Sequence, residues 1–326
     1  MPFFQPKVSP LPSNLNLQGQ TAVITGASAG LGLETARQLL ILNCKTVVLA
    51  VRNQAKGEAC AAQLARDLNL DPATQTIKVL TLDVSSTTSI TSFATTLQQT
   101  VSQTNILILN AGISHFKYAL SSTGHENALQ VNYLANALLL ATLLPYLSSS
   151  ATITVPTRVT WLGSRLHESM TSFAARPPPS TTPVLAYMDA PKSPLGMSRY
   201  ADTKLLCAMF MYTLAPRLDP RRIVLNMVCP GMVATTISDF LPLYLRALVD
   251  VVKAVRARPV EVGARLVVHA AVVAGPETHG RFLGDKEVLE VSKYIQSEAG
   301  REIQARLWAE TVAEMETLVE LPKEFK

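Results

Sequence analysis

The sequence predicts an α/β protein built on a doubly wound parallel sheet of about seven strands, with helices on both faces. The first observation is that short apolar runs of β type alternate with segments of helical period along most of the chain, as βαβ units require. The second is composition, because 48% of the 326 residues are hydrophobic and 16% are charged, which suits parallel strands buried on both sides. The third is a glycine-rich turn that follows the first apolar run.

The order of strands and helices is predicted from changes in the period of the hydrophobic residues along the chain. Boundaries of this kind depend on turn residues and capping residues on either side of each apolar run. The predicted strands are Thr21–Thr25, Thr46–Ala50, Ile77–Leu82, Ile106–Asn110, Arg158–Leu162, Val224–Val228 and Arg281–Leu283. The predicted helices are Leu31–Leu42, Gln54–Leu68, Thr87–Val101, His125–Leu147, Ser198–Leu218, Val260–Ala274 and Ser297–Val319.

The domain organisation predicted is an irregular arm over residues 1–18 and one domain over residues 19–326. The arm contains four prolines and lacks the long apolar region of a secretory signal. Two insertions, 165–197 and 231–259, interrupt the alternation where they leave the carboxyl ends of strands, which is where open α/β sheets bind ligands. We expect both to form substrate walls, with a disordered surface insertion as the alternative for 165–197.

Composition argues against several classes of protein. The net charge of +5 is mild and not clustered, which disfavours a nucleic-acid partner. The four scattered cysteines indicate reduced thiols in a cytoplasmic protein, and neither they nor the five histidines show the spacing of a metal site. No apolar run is long enough to predict an integral membrane segment. We interpret the apolar stretch at 240–253 as a substrate lid or a subunit contact, with a membrane contact as the alternative.

The glycine-rich turn carries the first functional signal. Gly26 permits a tight turn after the strand, Gly30 lets the backbone approach a pyrophosphate, and Gly32 lets the next helix pack closely on the strand. The helix N-terminus offers free N–H groups and a positive dipole to phosphates. A nucleotide cofactor is therefore expected at this turn.

The second signal is Tyr200 and Lys204, which stand one helical turn apart and share a helix face. A cation beside a phenol stabilises the phenolate, so we expect Lys204 to move the pKa of Tyr200 toward neutral pH. Alone, such a pair is more often a solvated helix face. It gains weight from the nucleotide-binding turn upstream.

With these residues in hand, the chain resembles the short-chain dehydrogenase/reductase family over about residues 18–275. Six family landmarks occur in the family's order. They are Thr-Gly-x-x-x-Gly-x-Gly at Thr25–Gly32, Asn110-Ala111-Gly112, Asn132, Ser164, Tyr200 with Lys204, and Pro-Gly-x-x-x-Thr at Pro230–Thr235. The resemblance implies a Rossmann-type fold and a nicotinamide cofactor.

The resemblance also implies which residues contact the cofactor. Asp83 would take the adenine amino group, with a helix-capping role as the alternative, and Val233 and Thr235 would meet the nicotinamide carboxamide. The full set implied is Gly26, Ser28, Gly30, Leu31, Gly32, Arg52, Asp83, Val84, Asn110, Ala111, Gly112, Tyr200, Lys204, Val233 and Thr235.

The end of the second strand predicts NADP(H) as the form of the cofactor. Val51 stands where family members that prefer NAD carry Asp, and Arg52 follows it. A guanidinium can hydrogen-bond a 2′-phosphate that an acid would repel. Ala29 departs from the basic residue that many NADP-preferring members carry in the glycine turn, so Arg52 would have to suffice, with Ser28 and Asn53 nearby. The alternative is that Arg52 is a solvated charge at the strand end.

By resemblance, the catalytic residues are Ser164, Tyr200, Lys204 and Asn132. Ser164 would bond the substrate carbonyl and Tyr200 would protonate it. Lys204 would also bond the nicotinamide ribose, and Asn132 would hold a water in the proton relay. Gly163 replaces the first of two serines common in the family, and the 36 residues from Ser164 to Tyr200 exceed the usual gap.

We therefore expect reduction of a hydrophobic ketone or aldehyde. The expected walls are apolar: Phe173, Tyr187, Met188, Met197, Met232, Phe240, Leu241, Leu243 and Tyr244. The C-terminal half resembles fungal reductases of secondary metabolism and, as an alternative, retinol-dehydrogenase-like members, which would make the protein a retinoid or steroid alcohol dehydrogenase. A cofactor-binding scaffold without turnover is the other alternative. The sequence does not decide between a monomer and a homo-oligomer.

Overall fold

The computed structural model describes residues 5–114, 117–152, 155–191, 196–234 and 256–326. These residues form one eight-stranded sheet in the order β3-β2-β1-β4-β5-β6-β7-β8. Pairs within β1 to β7 are parallel, and β8 runs antiparallel to β7. The strands are β1 Thr21–Thr25, β2 Thr46–Val51, β3 Thr76–Thr81, β4 Ile106–Leu109, β5 Thr157–Leu162, β6 Ile223–Cys229, β7 Phe282–Gly284 and β8 Glu287–Val288.

The helices lie between the strands, as the alternation predicts. They are α1 Gly30–Ile41, α2 Gln54–Asp67, α3 Thr87–Thr100, α4 Asn127–Ser150, α5 Leu166–Ser169, α6 Val184–Asp189, α7 Met197–Leu214, α8 Val260–Val268, α9 Lys293–Gln296 and α10 Glu298–Glu316. Strand order reverses between β1 and β4, which is the point where doubly wound sheets bind ligands. The predicted fold class is confirmed.

The eighth strand is a correction to the expected seven. A two-residue turn, Asp285–Lys286, joins β7 to β8, and both residues have positive φ (53° and 73°). Two-residue hairpin turns usually carry Asn, Asp or Gly first and Gly second, so Asp285 suits the turn, whereas Lys286 stands where Gly is expected and weakens the signal. Arg258 pairs with the Asp285 carboxylate, and Lys286 Nζ donates to the carbonyls of Ser9 and Pro10 at 2.9 Å. These contacts hold a turn that Lys286 disfavours.

Alternating residues of each strand feed two buried clusters, one on each face of the sheet. In β1, Val23 belongs to the cluster with α3, α4, α7 and α10, whereas Ala22 and Ile24 belong to the cluster with α1, α2 and α8. The first cluster is the larger because α10 packs on α7 and adds a further layer, with Tyr133 hydrogen-bonded to Thr311 at 2.7 Å.

The N-terminal arm is irregular over its described residues and lies on the edge of the sheet near β7. Gln5 Nε2 donates to the carbonyls of Met232 and Arg256, and its Oε1 accepts from the Met232 amide. Arg265 reaches the carbonyl of Val8 at 3.2 Å. The arm thus joins the two chain segments on either side of residues 235–255.

One described helix, Asn127–Ser150, is long and apolar enough to cross a membrane, but 89% of its most apolar window is buried inside the protein. Its burial is that of a core helix. All four cysteines are free.

Candidate active site

The glycine turn has the backbone conformation that its glycines predict. Gly26 (φ +67°) and Gly30 (φ +50°) occupy the left-handed region, which side chains disfavour. A Cβ on Gly32 would lie 2.5 Å from Asn110 Nδ2 and 2.7 Å from the Gly26 carbonyl. The turn therefore packs directly against the end of β4 and leaves no room for a side chain at position 32.

Asn110 and Thr25 brace this contact between the first and fourth strands. Asn110 Nδ2 donates to the Thr25 carbonyl at 2.7 Å, and Thr25 Oγ1 accepts from the amides of Asn110 (3.0 Å) and Ala111 (2.9 Å). Asn110 thus braces the sheet, as expected, while Gly112 next to it is exposed. The hydroxyl of Thr25 contributes to this contact, a role that the sequence motif alone does not predict.

The N-terminus of α1 is prepared for an anion. Its N-cap is Ala29, which makes no side-chain capping bond, whereas Asn53 caps α2 and Ser86 caps α3. The first N–H groups of a helix have no partner within the helix. In α1 these N–H groups lie close to Ser28, Gly30 and Leu31 and receive no side-chain cap from Ala29, so they are able to donate to an anion.

At the end of β2, Val51 is buried and Arg52 is exposed. Asn53 accepts from the Lys56 amide as the cap of α2. At the end of β3, Asp83 Oδ1 accepts from the amide and hydroxyl of Ser85 at 2.9 and 2.6 Å. Since Ser86 is the cap of α3, Asp83 is not needed for capping. The half-buried Val84 follows it.

Asn132 lies in a π-helical turn, Gln130–Leu134, within α4. Its side chain binds the backbone of Ile113 on both sides, accepting at 2.7 Å and donating at 2.9 Å, and also donates to Thr203 Oγ1 at 3.0 Å. A wide turn of this kind inside a helix often marks a functional site. It links α4 to α7 beside the end of β4.

Ser164 and Tyr200 converge at the end of β5, in spite of the 36 residues between them. Burial raises the pKa of Tyr200 above its ordinary value, and a hydrogen bond with the Ser164 side chain opposes that rise. The buried thiols of Cys229 and Cys207 add to the increase. The expected lowering of the tyrosine pKa by Lys204 is therefore not what the described residues produce.

Lys204 is buried under the same site. Its Nζ lies 5.7 Å from the centre of the Tyr200 ring, 3.7 Å from the position of a Cβ on Gly112, and donates to the Leu162 carbonyl at 2.7 Å. Burial lowers its pKa. The lysine, the tyrosine and the exposed Gly112 thus meet where β4 and β5 end.

Val233 pairs with Arg258 in an isolated parallel bridge and packs against Gly263, which also lies close to Leu31 of α1. The predicted contact Thr235 lies outside the described residues, as do the predicted wall residues Phe240, Leu241, Leu243 and Tyr244.

The predicted substrate walls need correction. Phe173 and Met188 are fully buried in the core, because 165–191 folds onto the protein with helices α5 and α6 and is not a disordered insertion. Tyr187 packs edge-on against Phe173 at 5.8 Å and donates its hydroxyl to the Arg176 carbonyl. Met197 and Met232 are exposed and remain candidates for a wall.

Two charged residues beside the tyrosine, Arg199 and Asp202, were not predicted from the sequence. Arg199 donates to the carbonyls of Met188 and Ala190. Asp202 accepts from the Thr171 hydroxyl and from the amide and hydroxyl of Ser172, each at 2.7 Å. Both side chains are buried. The available signal was an acid and a base flanking Tyr200 in an otherwise apolar helix.

Comparison with known proteins identifies the family. The short chain dehydrogenase family model matches residues 20–155. The chain is 51% identical to the short-chain dehydrogenase/reductase tropG of Talaromyces stipitatus, over 99% of this chain and 98% of that protein. It is also 51% identical to the short chain dehydrogenase macD of Penicillium terrestre, with the same coverage. The expected likeness to fungal members is confirmed.

Two solved structures share the fold. The Pseudomonas aeruginosa RhlG/NADP active-site complex superimposes with a TM-score of 0.62 at 24% identity, over 83% of this chain and 96% of that one. The 3-oxoacyl (acyl-carrier-protein) reductase of Agrobacterium tumefaciens, with NADP bound, gives 0.62 at 20% identity, over 83% and 94%. With near-complete coverage at half identity to fungal relatives, the chain belongs to the short-chain dehydrogenase/reductase family of nicotinamide-dependent oxidoreductases.

Proposed function

We propose that this protein is an NADPH-dependent carbonyl reductase, acting on a ketone or aldehyde of a hydrophobic small molecule such as a polyketide-derived one. The observation that carries the proposal is the convergence of Ser164, Tyr200 and Lys204 at the end of β5. This site lies beside Gly112, on the same edge of the sheet as the glycine turn.

The residues present fit a dinucleotide. The uncapped N-terminus of α1, with Gly26 and Gly30 in the left-handed region, would hold the pyrophosphate. Gly112 is exposed and Asp83 is half-buried, so both are available to the nucleoside parts. The cofactor supplies the hydride.

Arg52 is the residue we assign to the 2′-phosphate. It is exposed at the end of β2, where the preceding Val51 is buried and brings no negative charge. A guanidinium can bind a phosphate through two parallel N–H groups. This favours NADPH over NADH.

Tyr200 is the proposed acid. A general acid must carry its proton at the working pH, and burial keeps the pKa of this phenol high. Ser164 would share the substrate oxygen and stabilise its developing charge. The buried Lys204, with a lowered pKa, adds a nearby donor that Tyr200 can draw on for its next proton.

Asn132 would maintain the proton supply. Its side chain is fully engaged with Ile113 and Thr203, and Thr203 in turn donates to the Tyr200 carbonyl at 2.8 Å. The side chain therefore positions backbone at the site, with both Nδ2 hydrogens and one Oδ1 bond engaged. We infer that any water in the relay sits on backbone groups near Asn132.

The substrate class rests on the exposed Met197 and Met232 near the site and on the fungal short-chain dehydrogenases as relatives. We propose a role in fungal secondary metabolism. The four free cysteines fit a cytoplasmic location.

The test is NADPH oxidation at 340 nm with a panel of aromatic, polyketide-like and aliphatic carbonyl compounds, with NADP⁺ reduction by retinol and hydroxysteroids in parallel. Consumption of NADPH with a hydrophobic ketone or aldehyde supports the proposal. Turnover limited to retinol or steroid alcohols would favour the alcohol dehydrogenase. Tight NADPH binding with no turnover across the panel would favour the scaffold.

A further inference from the structure

Helix α10 presents three charged residues at intervals of four: Arg306, Glu310 and Glu314. This spacing places them along one face of the helix. On a surface helix such residues normally face water. Here all three contact the chain around residues 171–190 or the histidine bound to its end. We call residues 171–190 the wall segment because they are hydrogen-bonded to the first turn of α7, which carries the candidate wall residue Met197.

Arg306 hydrogen-bonds the proline-rich part of the wall segment. Pro177, Pro178, Pro179 and Pro183 have no amide N–H, so this stretch cannot build regular structure of its own. Arg306 donates to the carbonyls of Pro178 (3.4 Å), Pro179 (2.8 Å) and Thr182 (2.5 Å). The guanidinium thus provides donors that the local backbone lacks.

Glu310 continues the contact one turn later. Its two carboxylate oxygens accept from the amides of Val184 and Leu185, at 2.8 and 2.9 Å. These are the first two residues of α6, whose preceding residue Pro183 makes no side-chain cap. A residue 125 positions away in the chain therefore caps the helix that ends the wall segment.

Glu314 completes the row through His125. The histidine ring lies 2.8 Å from Glu314 through Nε2 and 2.8 Å from Asp189 through Nδ1. Asp189, the last residue of α6, also accepts from the Glu126 amide at 2.7 Å. Both ends of α6 are thus tied to the same face of α10.

The wall segment is attached to the catalytic helix as well. Asp202 binds Thr171 and Ser172 near its start, and Arg199 binds the carbonyls of Met188 and Ala190 at its end. Arg199 and Asp202 flank Tyr200 in α7. A displacement of the wall segment is therefore transmitted to the turn of α7 that carries the tyrosine.

We propose that the Arg306–Glu310–Glu314 row of α10 positions the wall segment against the catalytic helix and thereby sets the fit of bulky substrates. The inference rests on the proposed carbonyl reduction, since it assigns positioning residues to that site. In the described contacts, none of the side chains of Arg306, Glu310 and Glu314 touches Ser164, Tyr200 or Lys204. We therefore expect these three residues to affect the fit of the substrate and not the chemical step.

The test compares Glu310→Ala and Arg306→Ala with the conservative variants Glu310→Gln and Arg306→Lys. Glu316→Gln is the matched control, because Glu316 is an exposed acid on the same helix. Amide exchange is followed over 171–190 without substrate, and KM and kcat are measured with 2-tetralone as a bulky ketone and propanal as a small aldehyde.

We expect the alanine variants to exchange at least about tenfold faster in this segment, because each removes charge-assisted bonds to its backbone. KM for 2-tetralone should rise at least about fivefold, while kcat with propanal and the affinity for NADPH stay near the wild type. Glu310→Gln and Arg306→Lys should recover part of both effects, and Glu316→Gln should show neither.

Unchanged exchange in both alanine variants would overturn the inference. So would faster exchange with unchanged KM for 2-tetralone, since the row would then be structural only. Should the alanine variants fail to fold, the same comparison is decided by Glu310→Gln and Arg306→Lys. A wild type that reduces no carbonyl would refute the proposed function, and the exchange measurement would still decide whether the row holds the wall segment.

Discussion

The two sides of the site are built in different ways. On the nucleotide side, short turns follow the strands directly, and the glycine turn packs closely on the end of β4, where the Asn110 side chain donates to the Thr25 carbonyl and leaves no room for a Cβ at Gly32. On the substrate side, the wall segment is held by charged side chains from α7 and α10, such as the buried Asp202 and the half-buried Glu310. The comparison shows that the nucleotide side depends on the backbone geometry of short turns at the strand ends. The substrate side depends on side-chain contacts between residues that are far apart in the sequence.

The largest effect should come from the residue at the junction of the two sides. Tyr200→Phe removes the proposed acid and should reduce kcat at least about 100-fold, while leaving NADPH binding largely intact. Steady-state turnover and fluorescence titration of NADPH measure the two effects. Tyr212→Phe, on the same helix, is the control and should be near the wild type. Near-normal turnover of Tyr200→Phe would place the proton donor elsewhere.

The next effect tests the nucleotide side alone. Arg52→Ala should lose about 10- to 100-fold in NADPH affinity, because a charge-assisted phosphate contact contributes roughly 1.5–3 kcal/mol. NADH affinity should hardly change. Arg66→Ala, at the far end of α2, serves as control. Equal affinity of the wild type for both coenzymes would contradict the assignment of Arg52.

A smaller effect tests the substrate side. Met232 is 41% exposed, so Met232→Ala should change the ratio of kcat/KM between bulky and small carbonyls by roughly 10-fold, the range that a few methylene contacts provide. Affinity for NADPH should stay unchanged because the phosphates are proposed to bind at the glycine turn. The same ratio in variant and wild type would remove Met232 from the wall.

The smallest expected effect concerns pH and the contact between α6 and α10. Hydrogen bonds to the carboxylates of Asp189 and then Glu314 raise the pKa of His125 from 6.5 to about 10. The stabilisation from this pair is complete below the unfolded pKa of 6.5 and is lost as pH rises toward the folded value of about 10. The stability advantage of the wild type over His125→Gln should therefore shrink between these two pH values. Chemical denaturation over that range measures it, and a constant difference would contradict the pairing.

The predictability of the two sides follows from how they are built. Local geometry is visible in sequence, so the glycine turn, Asn110 and the seven parallel strands were all expected within a few residues. Long-range contacts leave no spacing signal: nothing near Glu310 indicates that it caps a helix starting at Val184. The hairpin at Asp285–Lys286 was missed for a related reason, because distant residues of the arm hold its turn.

Contacts between distant residues also explain why two predictions at the site were wrong, the wall residues and the pKa of Tyr200. Phe173 and Met188 look like pocket residues by type, but Asp202 and Arg199 draw their segment inward and bury both. The expected lowering of the Tyr200 pKa assumed that Lys204 would outweigh burial. In the folded chain burial is the largest influence on that phenol. That residues 19–326 fold as one domain stays a prediction.

The most direct test of the central claim is the fate of the transferred hydrogen. Wild-type protein would be incubated with NADPH that carries deuterium at both C4 positions of the nicotinamide and with a ketone that it consumes, and the product analysed by mass spectrometry and NMR. The account predicts one deuterium on the new carbinol carbon, with its formation slowed at least about 100-fold in Tyr200→Phe. Product without deuterium, or deuterated product formed at the wild-type rate by that variant, would contradict it.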